Sequence, residues 1–154
     1  MKGKPEIIAM LNMRLAEELT AIAQYEAHRA LLAVQQYPKL TDYLQERIDD
    51  ERKHFDRISE RIRFLEGAID AGAINAVQIG SDIRAIFFND MNSELDAGDR
   101  YRESISLAFE LGDHGTRTML EEILEDEEDH LLDIEANLLQ IEQMTVQNYL
   151  STKN

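Results

Sequence analysis

A chain of 154 residues with 44% apolar residues is long enough for one compact domain with a real core. Its lack of cysteine excludes disulfides, zinc–thiolate sites and thiol nucleophiles. A formal net charge of -15 argues against nucleic acid, whose phosphates call for Lys and Arg, and favours cations as partners.

The start, Met1-Lys-Gly-Lys-Pro-Glu, leads into no apolar run of signal-peptide type. No stretch approaches the roughly 18 apolar residues of a membrane span. A soluble cytoplasmic protein with no membrane partner is the expectation. Pro occurs twice, Gly seven times and Trp not at all, a punctuation that favours long helices.

The first helix is predicted from Pro5 to Gln35, with Pro5 suited to a helix start and Ile8, Leu11, Leu15, Leu19 and Ile22 recurring at spacings of three and four. Pro38 interrupts that pattern. A second helix is predicted from Leu40 to Glu66, carrying Leu44, Ile48, Phe55, Ile58, Ile62 and Leu65 and closing at Gly67. A third begins at the N-cap Ser81 and ends near Gly112, and a fourth runs from the N-cap Asp113 to Met144. Val146 to Leu150 suits a short fifth helix. Four helices of similar length pack most readily as an all-α bundle within a single domain spanning 1–154. Short connections make the first pair and the second pair antiparallel. The stretch from Gly67 to Gly80 is long enough to cross along the bundle and bury Ile69, Ile74, Val77 and Ile79 there.

Two Glu-x-x-His motifs stand out, Glu51-Arg-Lys-His54 and Glu127-Glu-Asp-His130. This spacing puts both side chains on one helical face, a turn apart, where they can share a metal. Taken singly, each is more often a solvated polar face. Their arrangement changes that reading. The second motif follows the first by 76 residues, and the same offset relates Glu18 to Glu94 and Tyr25 to Tyr101. Each half of the chain therefore carries a Glu, a Tyr seven residues on, and a Glu-x-x-His. Four carboxylates and two imidazoles can then converge in mid-bundle about an approximate twofold axis. Four buried glutamates repel one another unless cations balance them, and two divalent ions do so. Mixed carboxylate and imidazole ligands suit iron or manganese, with zinc a competitor. Glu51 and Glu127 are the natural bridges, and Glu18, His54, Glu94 and His130 the terminal ligands. Tyr25 is read as orienting its neighbours, with one-electron donation the alternative. His28 and His114 lack matching partners and are read as surface or locally bonded residues.

At these residues the sequence resembles bacterioferritin. Supporting segments are Met1-Lys-Gly, Arg61-Ile-Arg-Phe-Leu-Glu-Gly67, Glu94-Leu-Asp96, Glu122-Ile-Leu-Glu-Asp-Glu-Glu128 and Gln147-Asn-Tyr-Leu150. The resemblance implies a ferritin-like four-helix bundle with one long crossover and a hollow shell of twenty-four subunits. It also implies a ferroxidase: Fe(II) is oxidised by dioxygen or hydrogen peroxide at a diiron centre, and Fe(III) is stored as mineral. A ferredoxin-type reductase is the implied protein partner. Glu18, Glu51, His54, Glu94, Glu127 and His130 match the family's ferroxidase ligands. One departure matters. Bacterioferritins bind haem b between paired subunits through a methionine immediately after the first motif glutamate, and here that position is Arg52. A guanidinium has no lone pair for iron. Met13, Met91, Met119 and Met144 lie on other segments and offer no substitute. A homomer is therefore expected to lack haem at that site, and a mixed shell with a haem-binding subunit to regain it. A smaller departure lies at Glu46: the family often has a His near there, acting with the acid at Asp50 as an interior iron site. The alternatives are a diiron peroxidase or oxygenase of the same fold, and a shell subunit with a purely structural metal.

Overall fold

The computed structural model describes residues 2–70, 72 and 74–154, so Met1, Ala71 and Ala73 of the segments discussed above lie outside the described residues. Five helices follow in order: α1 (Pro5–Val34), α2 (Pro38–Phe64), α3 (Ile83–Glu110), α4 (His114–Met144) and the short α5 (Val146–Ser151). No strand occurs among the described residues.

The helix ends follow from local chemistry. Pro38 opens α2 rather than merely ending α1, because its fixed φ suits a first helical position. The reversal before it is made by Gln36, a non-glycine residue at φ 62. At the other end of α2 the left-handed residue is Glu66, at φ 58, and the Gly67 N–H closes the turn on the Ile62 carbonyl at 2.9 Å. Gly67 is needed for space: a Cβ there would sit 2.8 Å from Cγ2 of Ile8. The N-cap of α3 is Asp82, not Ser81, because the Asp82 carboxylate accepts from the Ala85 N–H at 2.9 Å. Asp113 caps α4 as expected, accepting from the Thr116 N–H at 3.0 Å.

α1 packs along α2, and α3 along α4. α1 also runs antiparallel to α3, with Lys4 bonded to the Leu111 carbonyl and Gln24 to Asp90. α2 runs antiparallel to α4, with Arg47 near Asp133 and Arg61 bonded to Asp113. The 65–82 segment thus has to travel the bundle's length to begin α3. It does so against α1: the backbone N–H groups of Asp70, Asn75 and Gln78 donate to the side chains of Asn12, Thr20 and Gln24. Its apolar residues do not fill a groove. Ile69, Ile74, Val77 and Ile79 are all exposed, because the polar edge of the segment is the one that faces α1.

The buried stripe of α2 reads Leu40, Leu44, Ile48, Glu51, His54, Ile58 and Ile62, and that of α4 interleaves Glu127 and His130 between Ile123 and Ile134 in the same way. Two apolar clusters result, one around Leu11, Leu15, Ile58, Ile62 and Leu120, the other around Leu44, Ile48, Phe87 and Ile134. Fully burying each such side chain contributes about 1.5–3 kcal/mol. A layer of ionisable residues lies between the two clusters.

Candidate metal centre

Each helix of the four delivers its polar residues to that middle layer from a position on its own buried stripe. Glu18 comes from α1, Glu51 and His54 from α2, Glu94 from α3, Glu127 and His130 from α4, and all six are at most 5% exposed. Donor atoms of Glu18, Glu51, His54 and Glu127 lie within 4.8 Å of one another, and so do those of Glu51, Glu94, Glu127 and His130. The two sets share Glu51 and Glu127.

The shared carboxylates are split between the sets. Glu51 turns Oε2 to His54 Nδ1 and Oε1 to His130 Nδ1, each at 3.2 Å. Glu127 turns Oε1 to His54 and Oε2 to His130, each at 3.3 Å. Glu18 approaches His54 at 3.6 Å and Glu94 approaches His130 at 3.8 Å. The two imidazoles lie 6.1 Å apart, nearly parallel.

The 76-residue repeat extends to the tyrosines, but with a crossing. The Tyr25 hydroxyl on α1 donates to Glu94 on α3, and the Tyr101 hydroxyl on α3 donates to Glu18 on α1. Tyr101 was visible in the sequence only as the mate of Tyr25. Beyond this layer, His28 is not a surface residue. It is fully buried, approaching the Asp90 carboxylate at 3.0 Å through Nδ1 and accepting the Gly80 N–H at 2.9 Å on Nε2. His114 is exposed. Arg52 is 54% exposed and pairs with Glu26 at 3.3 Å and Asp49 at 3.6 Å. Glu46 is exposed on α2, while Asp50 holds Lys53 at 2.7 Å.

Protons distribute themselves as the burial dictates. Desolvation pushes the Glu18 and Glu94 carboxyls well up, reinforced by Glu51 and Glu127 nearby. Burial also opposes ionisation of Glu51 and Glu127, but for Glu51 the bonds from His130 and His54 outweigh it, and for Glu127 the same two histidines do, so both are held low. Burial disfavours imidazolium, yet the surrounding glutamates raise His54 strongly and push His130 up to about 12. Without metal, protonated histidines sit among ionised bridges.

A cavity of about 280 Å³ leads to this layer between α1, α3 and the crossing segment, with Glu17, Gln78 and Arg100 among its walls and Glu18, Glu94 and Glu127 at its floor. On the opposite side, a second pocket between α2 and α4 is lined by Asp50, His54, Asp126 and His130. Among the described residues no helix is long and apolar enough to cross a membrane.

Four long helices, one crossing connection and a buried carboxylate–histidine layer define a ferritin-like bundle. Residues 8–144 match the family model of the ferritin-like domain. The chain is 36% identical over 152 residues to a bacterioferritin of Streptomyces coelicolor, covering 99% of this chain and 91% of that one. It is 34% identical over 138 residues to a bacterioferritin of Brucella melitensis, covering 90% and 86%. A bacterioferritin of Mycolicibacterium paratuberculosis is 32% identical over 149 residues, with 97% and 94% covered. The chain belongs to the bacterioferritin family.

Proposed function

We propose that this chain is an iron-storage subunit with ferroxidase activity, and that Glu18, Glu51, His54, Glu94, Glu127 and His130 hold its two iron ions. The observation that carries this is the division of Glu51 and Glu127, each offering one oxygen to either histidine side. The donor set fits the metal by its unmet bonding. Glu18 Oε2, Glu51 Oε1, Glu127 Oε2 and His130 Nδ1 are buried and make no well-directed hydrogen bond, although Glu51 Oε1 and Glu127 Oε2 lie only 3.2 and 3.3 Å from His130 Nδ1. Such orphaned groups are costly unless a cation takes them. Hard carboxylate oxygens with one imidazole per position suit iron, and two Fe(II) ions offset the four carboxylate charges.

Each Fe(II), as substrate, gives up one electron; the pair reduces dioxygen to hydrogen peroxide, or hydrogen peroxide to water, with two protons taken up. The protein's own groups prepare that step. Glu51 and Glu127 would hold both ions, and Glu18 with His54 and Glu94 with His130 would each complete one donor set. Tyr25 and Tyr101 orient the terminal glutamates through their hydroxyls. The cavity between α1 and α3 gives Fe(II) and the oxidant a route to the carboxylates. The exposed apolar side chains of the crossing segment, with Phe88 and Phe109, support assembly into a larger shell, because a lone soluble chain rarely leaves so many uncovered.

The test is rapid-mixing oxidation of Fe(II) with dioxygen or peroxide. Glu18→Ala and His130→Ala are expected to abolish the fast phase while leaving particle size unchanged; unaltered kinetics would sink the assignment. Particle mass separates storage from the rival roles: a monomer or dimer of the 17.7 kDa chain excludes a mineral-holding shell.

A further inference from the structure

Each motif histidine uses Nδ1 toward the carboxylate layer, which leaves Nε2 facing outward. The residue that meets Nε2 is in both cases an aspartate on the opposite helix. His54 on α2 has Asp126 of α4 at 3.1 Å, and His130 on α4 has Asp50 of α2 at 3.5 Å. These aspartates immediately precede Glu51 and Glu127. Adjacent residues on a helix point about 100° apart, so Glu51 enters the layer while Asp50 flanks it. The 76-residue repeat therefore includes a fourth element, an acid one position before each bridge.

The two contacts are unequal. Asp50 is drawn away from its histidine by Lys53 at 2.7 Å and Arg47 at 3.6 Å. Among the described residues, no Lys or Arg nitrogen lies within 4 Å of Asp126. Asp126 is more open to solvent, at 54% against 28% for Asp50, which screens its charge but leaves its closer geometry intact. An imidazole that donates Nε2–H to a carboxylate keeps its lone pair on Nδ1 and its ring plane fixed.

We infer that Asp126 is a positioning residue for His54, and that Asp50, shared with two cations, is its weaker counterpart for His130, so that the Glu18–His54 side binds a divalent cation more tightly than the Glu94–His130 side. This rests on the six-residue metal centre proposed above. The arrangement makes the centre directional: one ion is anchored, and the other is the more readily exchanged.

The experiment is titration of metal-free, assembled protein with Co(II), followed by its ligand-field absorption. The wild type takes up two ions per chain in a tight and a weak phase, and His54→Ala removes the tight one. Asp126→Ala lowers affinity in the tight phase by about 10- to 100-fold and alters its spectrum, leaving the weak phase in place. Asp126→Asn, whose amide oxygen still accepts from Nε2–H, retains most of that spectrum. Asp50→Ala produces a smaller change, confined to the weak phase. Two equal phases in the wild type, an Asp126→Ala titration like the wild type, or equal weakening of both phases overturns the inference. Failure of the wild type to bind Co(II) at all, or His54→Ala and Glu18→Ala titrating as wild type, would instead remove the metal centre itself.

Discussion

The Tyr101 hydroxyl on α3 is bonded to Glu18 on α1, mirroring the bond from Tyr25 on α1 to Glu94 on α3. Both tyrosines and both glutamates are buried, so each hydroxyl meets a carboxylate that has little other solvation. Phe in place of Tyr101 keeps the ring packing and removes the donor. Leaving a buried carboxylate oxygen unpaired costs about 1–3 kcal/mol. Tyr101→Phe should therefore lower the melting temperature of the metal-free protein, and Tyr25→Phe should lower it by a similar amount. A Tyr101→Phe protein that melts with the wild type would show that the bond contributes nothing.

The proton distribution predicts how stability depends on pH. Glu18, Glu94, His54 and His130 are all raised in the folded state, the first two by burial and the histidines by their glutamate neighbours despite burial. Folding then binds protons that the unfolded chain gives up. The contribution of the histidines is fully present below their ordinary value of 6.5 and is lost as the pH climbs toward about 12 for His130. Glu18 and Glu94 begin to lose theirs earlier, above 4.5. Glu51 and Glu127 are lowered and act in the opposite sense, their contribution vanishing in acid. Metal-free protein should be most stable in mildly acidic solution and weaken as the pH rises past neutrality. A redox-inert divalent ion such as Zn(II) replaces the displaced protons, so its stabilising effect should grow with pH. Melting curves with and without Zn(II) check this; a metal-free melting temperature that rises through the alkaline range contradicts it.

The parts of the centre that follow a helical period were legible in the sequence. Glu51 and His54 sit in register with Leu44, Ile48, Ile58 and Ile62, so the buried stripe carries them inward whatever their polarity. The internal repeat supplied the rest of the six. What the sequence did not reveal depends on register between helices. The crossing of Tyr25 and Tyr101 and the pairing of Asp126 with His54 both need antiparallel neighbours at one height. His28 had no partner of recognisable spacing, because one of its partners is a backbone N–H on the crossing segment. The same segment reversed an expectation. Its isoleucines suit burial, but its amides bond to Asn12, Thr20 and Gln24, and that contact turns the apolar side outward.

Arg52 carries a prediction about haem. Resemblance places the family's haem-ligating methionine there, and the guanidinium instead pairs with Glu26 and Asp49 on an exposed face. Exposed pairs of this kind contribute about 0–1 kcal/mol, so Arg52→Met should fold normally. The purified homomer should show no Soret band at substantial occupancy even after haem addition, and Arg52→Met should gain one. A strong Soret band in the unaltered homomer refutes the reading of Arg52. An Arg52→Met protein that stays colourless shows that residue 52 does not decide haem binding in this chain.

His28 fastens the end of the crossing segment to the bundle. The Gly80 N–H occupies its Nε2, which leaves the proton on Nδ1 to face Asp90. Gln24 completes the junction, donating to Asp90 at 2.8 Å and accepting the Gln78 N–H at 3.0 Å. His28 and Asp90 are at most 1% exposed, so no water replaces a lost partner. His28→Ala would leave both the Gly80 amide and one face of the Asp90 carboxylate unpaired beside a new void. Leaving each of these buried groups without its partner costs about 1–3 kcal/mol. Amide exchange should locate the damage: protection should fall first at Gln78 and Gly80, ahead of α2 and α4, since those amides depend on this junction. If His28→Ala instead weakens all helices together while Gln78 and Gly80 stay protected, the segment is held by something other than this histidine.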